Sequence, residues 1–118
     1  MKLVNQADVK DEVQVEGLRK QVLVGSDDGA SNALRRFVLE PGARVPRHTN
    51  EVEHVQYVLE GGYVVEVEGE ERVLEDGDAL HVPAGAVHSY EGGDRRGVFL
   101  CVVPSEDDEI EMVEDGDA

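Results

Sequence analysis

The sequence predicts an all-β, single-domain protein, and three observations carry that reading. Valine occurs 21 times in 118 residues, against 2 Phe, 3 Tyr and no Trp; branching at Cβ suits a pleated surface better than a helix. Short apolar runs are divided at regular intervals by Gly, Pro and Asp turn chemistry. No window carries an i, i+3, i+4, i+7 stripe, while Val65-Glu66-Val67-Glu68 alternates with period two.

Taken in order, residues 1–16 mix charge with Val and form either an arm or an edge strand. Residues 17–105 hold the barrel or sandwich. Runs at 18–24, 33–40 and 55–60 end respectively at Gly25-Ser26-Asp27-Asp28-Gly29, Pro41-Gly42 and Gly61-Gly62. Runs at 63–68, 72–75, 79–82 and 98–103 follow, closed by Gly69, Asp76-Gly77-Asp78, Pro83-Ala84-Gly85 and Pro104. Many short strands must close or pack face to face to bury their apolar sides, which predicts a sandwich, jelly roll or barrel. Residues 106–118 carry 8 acids and no base. They read as a mostly solvated acidic tail, with Ile110, Met112 and Val113 able to anchor a short stretch.

A formal net charge of −16 repels phosphate backbones and anionic membranes, so neither nucleic acid nor membrane is an expected partner. Only 3 of the 11 basic residues are Lys. That composition fits a halophilic source, where salt screens the self-repulsion, or an acidic mesophile protein with a charged tail. The single cysteine, Cys101, excludes an intrachain disulfide and favours a reducing interior. No apolar run approaches the roughly 20 residues that span a bilayer. A cytoplasmic location is the expectation.

The residues that carry chemistry lie at His48-Thr49-Asn50-Glu51-Val52-Glu53-His54 and at His88. Side chains at i and i+2 of a strand share a face, so His48 and Asn50 point the same way. Residues 51–53 are expected to turn the chain back and bring His54 alongside. His88 follows a Pro-x-Gly turn and is expected to arrive from across the barrel. Neutral imidazole suits Mn, Fe, Co, Ni, Cu and Zn. His81 lies out of phase with Leu80 and Val82 and is expected to face outward. Cys101 shares parity with Phe99 and Val103, as a cavity-lining thiol or an inert buried one. Tyr57, Gln56, Arg36 and Arg47 are available to shape a pocket, and the sequence does not choose among them. No Gly-rich phosphate loop, Gly-x-Ser-x-Gly elbow or zinc-finger cysteine pair is present.

These segments resemble the two motifs of the cupin superfamily. Gly42, His48, Asn50, His54 and Gly61 match the spacing of the first, with Asn50 in place of its second His and His54 in place of its Glu. Gly77, Pro83, Gly85 and His88 match the second, with Gly92 in place of its final Asn. The chain is further similar, over roughly residues 14–105, to small prokaryotic cupins that bind manganese or a similar metal through four histidines. The resemblance implies a cupin double-stranded β-helix, a jelly-roll barrel. It implies a divalent transition metal (Mn, Fe, Ni, Cu or Zn) held by His48, His54 and His88, with Asn50 as a weak oxygen donor to the ion or a group that bonds to its ligands. Glu51 or Glu53 are alternative oxygen donors. A homodimer formed through sheet faces or exchanged N-terminal strands is also implied.

Three neutral imidazoles leave an ion its full charge and open positions for a small ligand. The leading expectation is a small-molecule oxidoreductase of dioxygenase-like type. A non-catalytic ligand-binding or sensor cupin with a decayed metal site is the alternative from a different class, and a Lewis-acid isomerase or epimerase a further one. No catalytic residue is assigned, because a fold of this breadth does not fix a reaction.

Overall fold

The computed structural model describes residues 1–104 and 110–113. Among these described residues, eleven strands form two antiparallel sheets. In chain order they are β1 (Glu12–Val15), β2 (Leu18–Val24), β3 (Asn32–Leu39), β4 (Arg44–Asn50), β5 (His54–Glu60), β6 (Tyr63–Val67), β7 (Glu70–Leu74), β8 (Ala79–Val82), β9 (His88–Glu91), β10 (Gly97–Pro104) and β11 (Ile110–Met112). The six-stranded sheet runs β1-β2-β3-β10-β5-β8 and the five-stranded sheet β11-β4-β9-β6-β7. From β3 onward only the β6–β7 hairpin keeps two successive strands in one sheet. This alternation is the jelly-roll way of burying two inner faces against each other.

The core lies between the sheets and is built from alternating positions. Along β5, His54, Gln56 and Val58 are buried while Val55, Tyr57 and Leu59 are exposed. Phe37 stacks on Phe99 with centroids 5.1 Å apart, and Tyr90 stacks on Phe99 at 5.5 Å. Burying a side chain such as Phe37 or Phe99 contributes about 1.5–3 kcal/mol. Gly97 permits this packing, since a Cβ there would lie 2.5 Å from the Tyr63 ring.

Two termini of the barrel behave differently from simple solvated ends. Gln6–Asp8 form one 3-10 turn capped by Asn5, and Gln21 on β2 donates its amide to Gln6 O at 2.8 Å and Val9 O at 2.6 Å. The N-terminal segment is thereby tied to the sheet, and β1 forms its edge. Within the expected acidic tail, Ile110–Met112 form β11 and pair with β4 in the register Ile110 to Asn50 and Met112 to His48. The rest of that tail lies outside the described residues. No helix among them is long and apolar enough to cross a membrane.

Candidate metal and ligand site

The site begins with an irregularity in β4. Val45 pairs with Tyr90 and His48 with His88, so three steps along β4 match two along β9. A strict period of two would put Val45 and His48 on opposite faces, yet they are 1% and 4% exposed. The extra residue at Pro46-Arg47 is a β-bulge that re-aims His48 inward. Proline suits that place, having no N–H to give to the ladder. From His48 the alternation resumes, and Asn50 is also buried.

The second imidazole of the five-stranded sheet is set by a turn. Gly85, at φ 75°, closes the Pro83–Ala86 turn, and its N–H donates to Asn50 O at 2.9 Å. This fixes the start of β9 beside β4 and puts His88 directly opposite His48, ring centroids 4.1 Å apart.

His54 arrives from elsewhere than expected. Residues 51–53 do not turn the chain back beside β4; they carry it across to the other sheet, where β5 lies between β10 and β8. His54 is therefore the residue that faces the others across the barrel, 6.2 Å from the His88 ring, and His88 is the near neighbour of His48. The physical reason is the jelly-roll alternation, in which a short link spans the layers because β4 already has β9 and β11 as partners. All four predicted site residues, His48, Asn50, His54 and His88, line one pocket of about 30 Å³, enough for a couple of waters or an ion with one small ligand.

Hydrogen bonds hold the rings from behind. His48 Nδ1 donates to Pro46 O at 2.8 Å and His88 Nδ1 to Ala86 O at 2.9 Å. A carbonyl oxygen only accepts, so each neutral ring keeps its proton on Nδ1 and its lone pair on Nε2, the form a metal-binding imidazole takes. His54 Nδ1 lies 3.3 Å from Cys101 Sγ. The rings are close without converging: among the described residues no three His, Cys, Asp or Glu already share one point as a cation's shell.

Other expected groups fall outside. Glu53 is exposed and bonds exposed His81 at 3.2 Å, and Glu51 is exposed; neither lines the pocket. Arg36 donates to Gln21, Arg47 pairs with Glu66 at 3.0 Å, and Tyr57 points outward. Cys101 is fully buried behind His54.

Of the four residues available to shape a pocket, Gln56 does line it, and Arg35 and Tyr90, which the sequence had not singled out, join it. Arg35, 8% exposed, lies over the Phe37 ring at 5.2 Å and donates to Cys101 Sγ at 3.6 Å. Its parity with Ala33, Phe37 and Leu39 was the available signal. Gln56 and Tyr90 share the parity of His54 and His88; the Gln56 amide donates to Tyr90 OH at 2.8 Å. Burial pushes the Tyr90 hydroxyl well above the usual phenol range, an effect only partly offset by that bond, so it remains a neutral hydrogen-bonding group. Gln56 Oε1 is buried with no hydrogen-bond partner, the kind of atom a bound ligand or water satisfies.

Comparison with known proteins follows the same lines. A family model described as a cupin domain matches residues 35–103. Among solved structures, the chain is similar to the polyketide cyclase RemF from Streptomyces resistomycificus, at 30% identity and TM-score 0.87 over 99% of this chain and 88% of that one. It is similar to a cupin 2 domain-containing protein from Halorhodospira halophila, at 27% identity and TM-score 0.76 over 85% of this chain and 72% of that one. A cupin-2 domain protein from Rhodospirillum rubrum shares the fold, at 20% identity and TM-score 0.81 over 99% and 82%. No curated protein matches the sequence.

Proposed function

The chain belongs to the cupin family as a small single-domain member, and on that premise we propose that it is a metal-dependent cupin acting on a small oxygen-bearing carbon substrate. His48, His54 and His88 would hold a divalent first-row metal, with Asn50 beside them as a weaker oxygen donor. The observation that carries this reading is the gathering of three buried imidazoles from three strands onto one pocket, two with Nδ1 bound to backbone carbonyls. The donor set fits: neutral imidazoles suit such ions, and the orphaned Gln56 Oε1 gives the pocket a further polar atom for a ligand. When bound, the metal supplies a positive charge that polarises an oxygen of the substrate or binds dioxygen.

The protein's own groups do the rest. Arg35 brings a buried positive charge to the wall, which attracts a carboxylate or enolate. The Gln56–Tyr90 pair presents neutral hydrogen-bonding groups that orient the substrate. Phe37, Phe99 and Leu18 exclude water from one side. Dioxygenase-like oxidation is the leading reaction type for such an open neutral centre. The likeness to a polyketide cyclase favours a second reading, metal-assisted polarisation of a carbonyl without oxidation.

Elemental analysis of protein purified without added metal tests the premise. The expected result is close to one first-row divalent metal per chain, lost in His88→Ala; substoichiometric metal indifferent to that change would leave a non-catalytic ligand-binding cupin. Dioxygen uptake during turnover then separates the two reaction types.

A further inference from the structure

The hydrogen bonds behind the three imidazoles are not equivalent. His48 and His88 face backbone carbonyls two residues earlier in the chain, and each has its tautomer dictated by an atom that cannot donate. His54 differs in the partner its Nδ1 meets. Its Nδ1 faces Cys101 Sγ at 3.3 Å, and a thiol both donates and accepts. With S–H donating, the His54 lone pair sits on Nδ1 and the proton on Nε2, where it blocks coordination through Nε2. With Nδ1–H donating to sulfur, the lone pair is on Nε2.

A second contact bears on the choice. Arg35 donates Nη2–H to the same sulfur at 3.6 Å, and Arg35 and Cys101 are direct partners across β3 and β10. Cys101 pairs in turn with Gln56 on β5, two residues from His54, so one row of the sheet fixes the sulfur against the ring. Guanidinium cannot accept, so the sulfur acts as an acceptor on that side, and its second lone pair is left to accept Nδ1–H on the other. All three side chains are buried, Cys101 completely, which removes water as a competing partner.

We propose that Cys101 is a positioning residue that sets the tautomer and ring plane of His54, with Arg35 steering the sulfur, and so completes the three-imidazole donor set. Its geometry stands alone, and its consequence for metal rests on the function proposed above.

Cys101→Val has similar volume and removes both hydrogen-bonding roles. Cys101→Ala repeats the removal without added bulk, and Cys101→Ser keeps both roles. Nitrogen-15 shifts of the histidine rings, read in metal-free protein, report each tautomer. The His54 pattern should change in C101V and C101A and persist in C101S, while His48 and His88 keep theirs throughout. Chelator competition with zinc(II) should show C101V and C101A binding about 10- to 100-fold more weakly than wild type, with C101S within a few-fold. An unchanged His54 pattern, or unchanged zinc affinity in a wild type that does bind zinc, overturns the proposal. Wild type that binds no zinc while the His54 pattern responds as expected would sink the metal reading and leave the positioning role standing.

Discussion

His48 and His88 lie directly opposite each other on adjacent antiparallel strands, with ring centroids 4.1 Å apart and planes inclined at 55°. Two neutral imidazoles gain little from each other at that distance, and both are buried. Both rings line one pocket with Asn50 and His54.

Asn50 shares the inward face of β4 with His48 and lines the same pocket. An amide oxygen is a weaker donor than imidazole, so Asn50→His should tighten first-row metal binding by about tenfold or more, which is ~1.4 kcal/mol. Chelator competition reads this. Unchanged affinity would mean that position 50 stands aside from the ion.

Protons compete with metal for imidazole. Because an imidazole must be neutral to coordinate, metal should be retained at neutral pH and released in acid. Dialysis across a pH series followed by elemental analysis shows the midpoint. Retention far into acid would implicate carboxylates instead of His48, His54 and His88.

The Gln56 amide and the Tyr90 hydroxyl meet at 2.8 Å inside the core. Tyr90→Phe strands the Gln56 amide nitrogen and should cost about 1–3 kcal/mol in urea unfolding. Adding Gln56→Met removes the stranded partner and should recover much of that loss. Strictly additive losses would show that the two groups do not stabilise each other.

At high pH the buried tyrosines take over. Burial pushes the Tyr63 and Tyr90 hydroxyls up, and their folded values lie above the unfolded phenol value of about 10. The folded state then holds the protons more tightly, so their contribution to stability is fully present below pH ~10 and is lost as pH rises through that point towards the folded values. Tyrosinate absorbance should therefore show these two ionising only together with loss of β-sheet circular dichroism. Complete ionisation of a still folded protein would contradict it.

Along β5 the outward residues Val55, Tyr57 and Leu59 are 48%, 50% and 41% exposed, and Val102 on β10, 41% exposed, pairs with Val55. A row of apolar side chains on an open sheet face is material for a protein contact. We expect a second copy of the chain to cover it. Tyr57→Glu with Val102→Lys should shift sedimentation from dimer to monomer while metal content holds. A monomeric wild type would refute the assignment.

Local pattern exposed much of the fold. The runs at 18–24 and 79–82 coincide with β2 and β8, and parity put His48 with Asn50 on one face and His81 outside. What short-range pattern cannot carry is which sheet a strand joins, because periodicity describes one strand and pairing is a long-range choice. That is why the link at 51–53 read as a return when it is a crossing. Arg35 was passed over because charge reads as surface, although its neighbours Ala33, Phe37 and Leu39 all point inward. Ile110 and Met112 stood out as apolar anchors within the acidic run, but their partner did not: the edge they pair with is β4, some sixty residues earlier in the chain.

The bulge at Pro46-Arg47 has a genetic side. Loss or gain of a single codon between Val45 and His48 would swap which face His48 and Asn50 present, while leaving His48, Asn50, His54 and His88 all in the gene. A one-residue indel here is therefore an all-or-none event for the centre, where a point substitution is graded. Among natural variants, chain length between Val45 and His48 should be held constant even where the residues themselves drift.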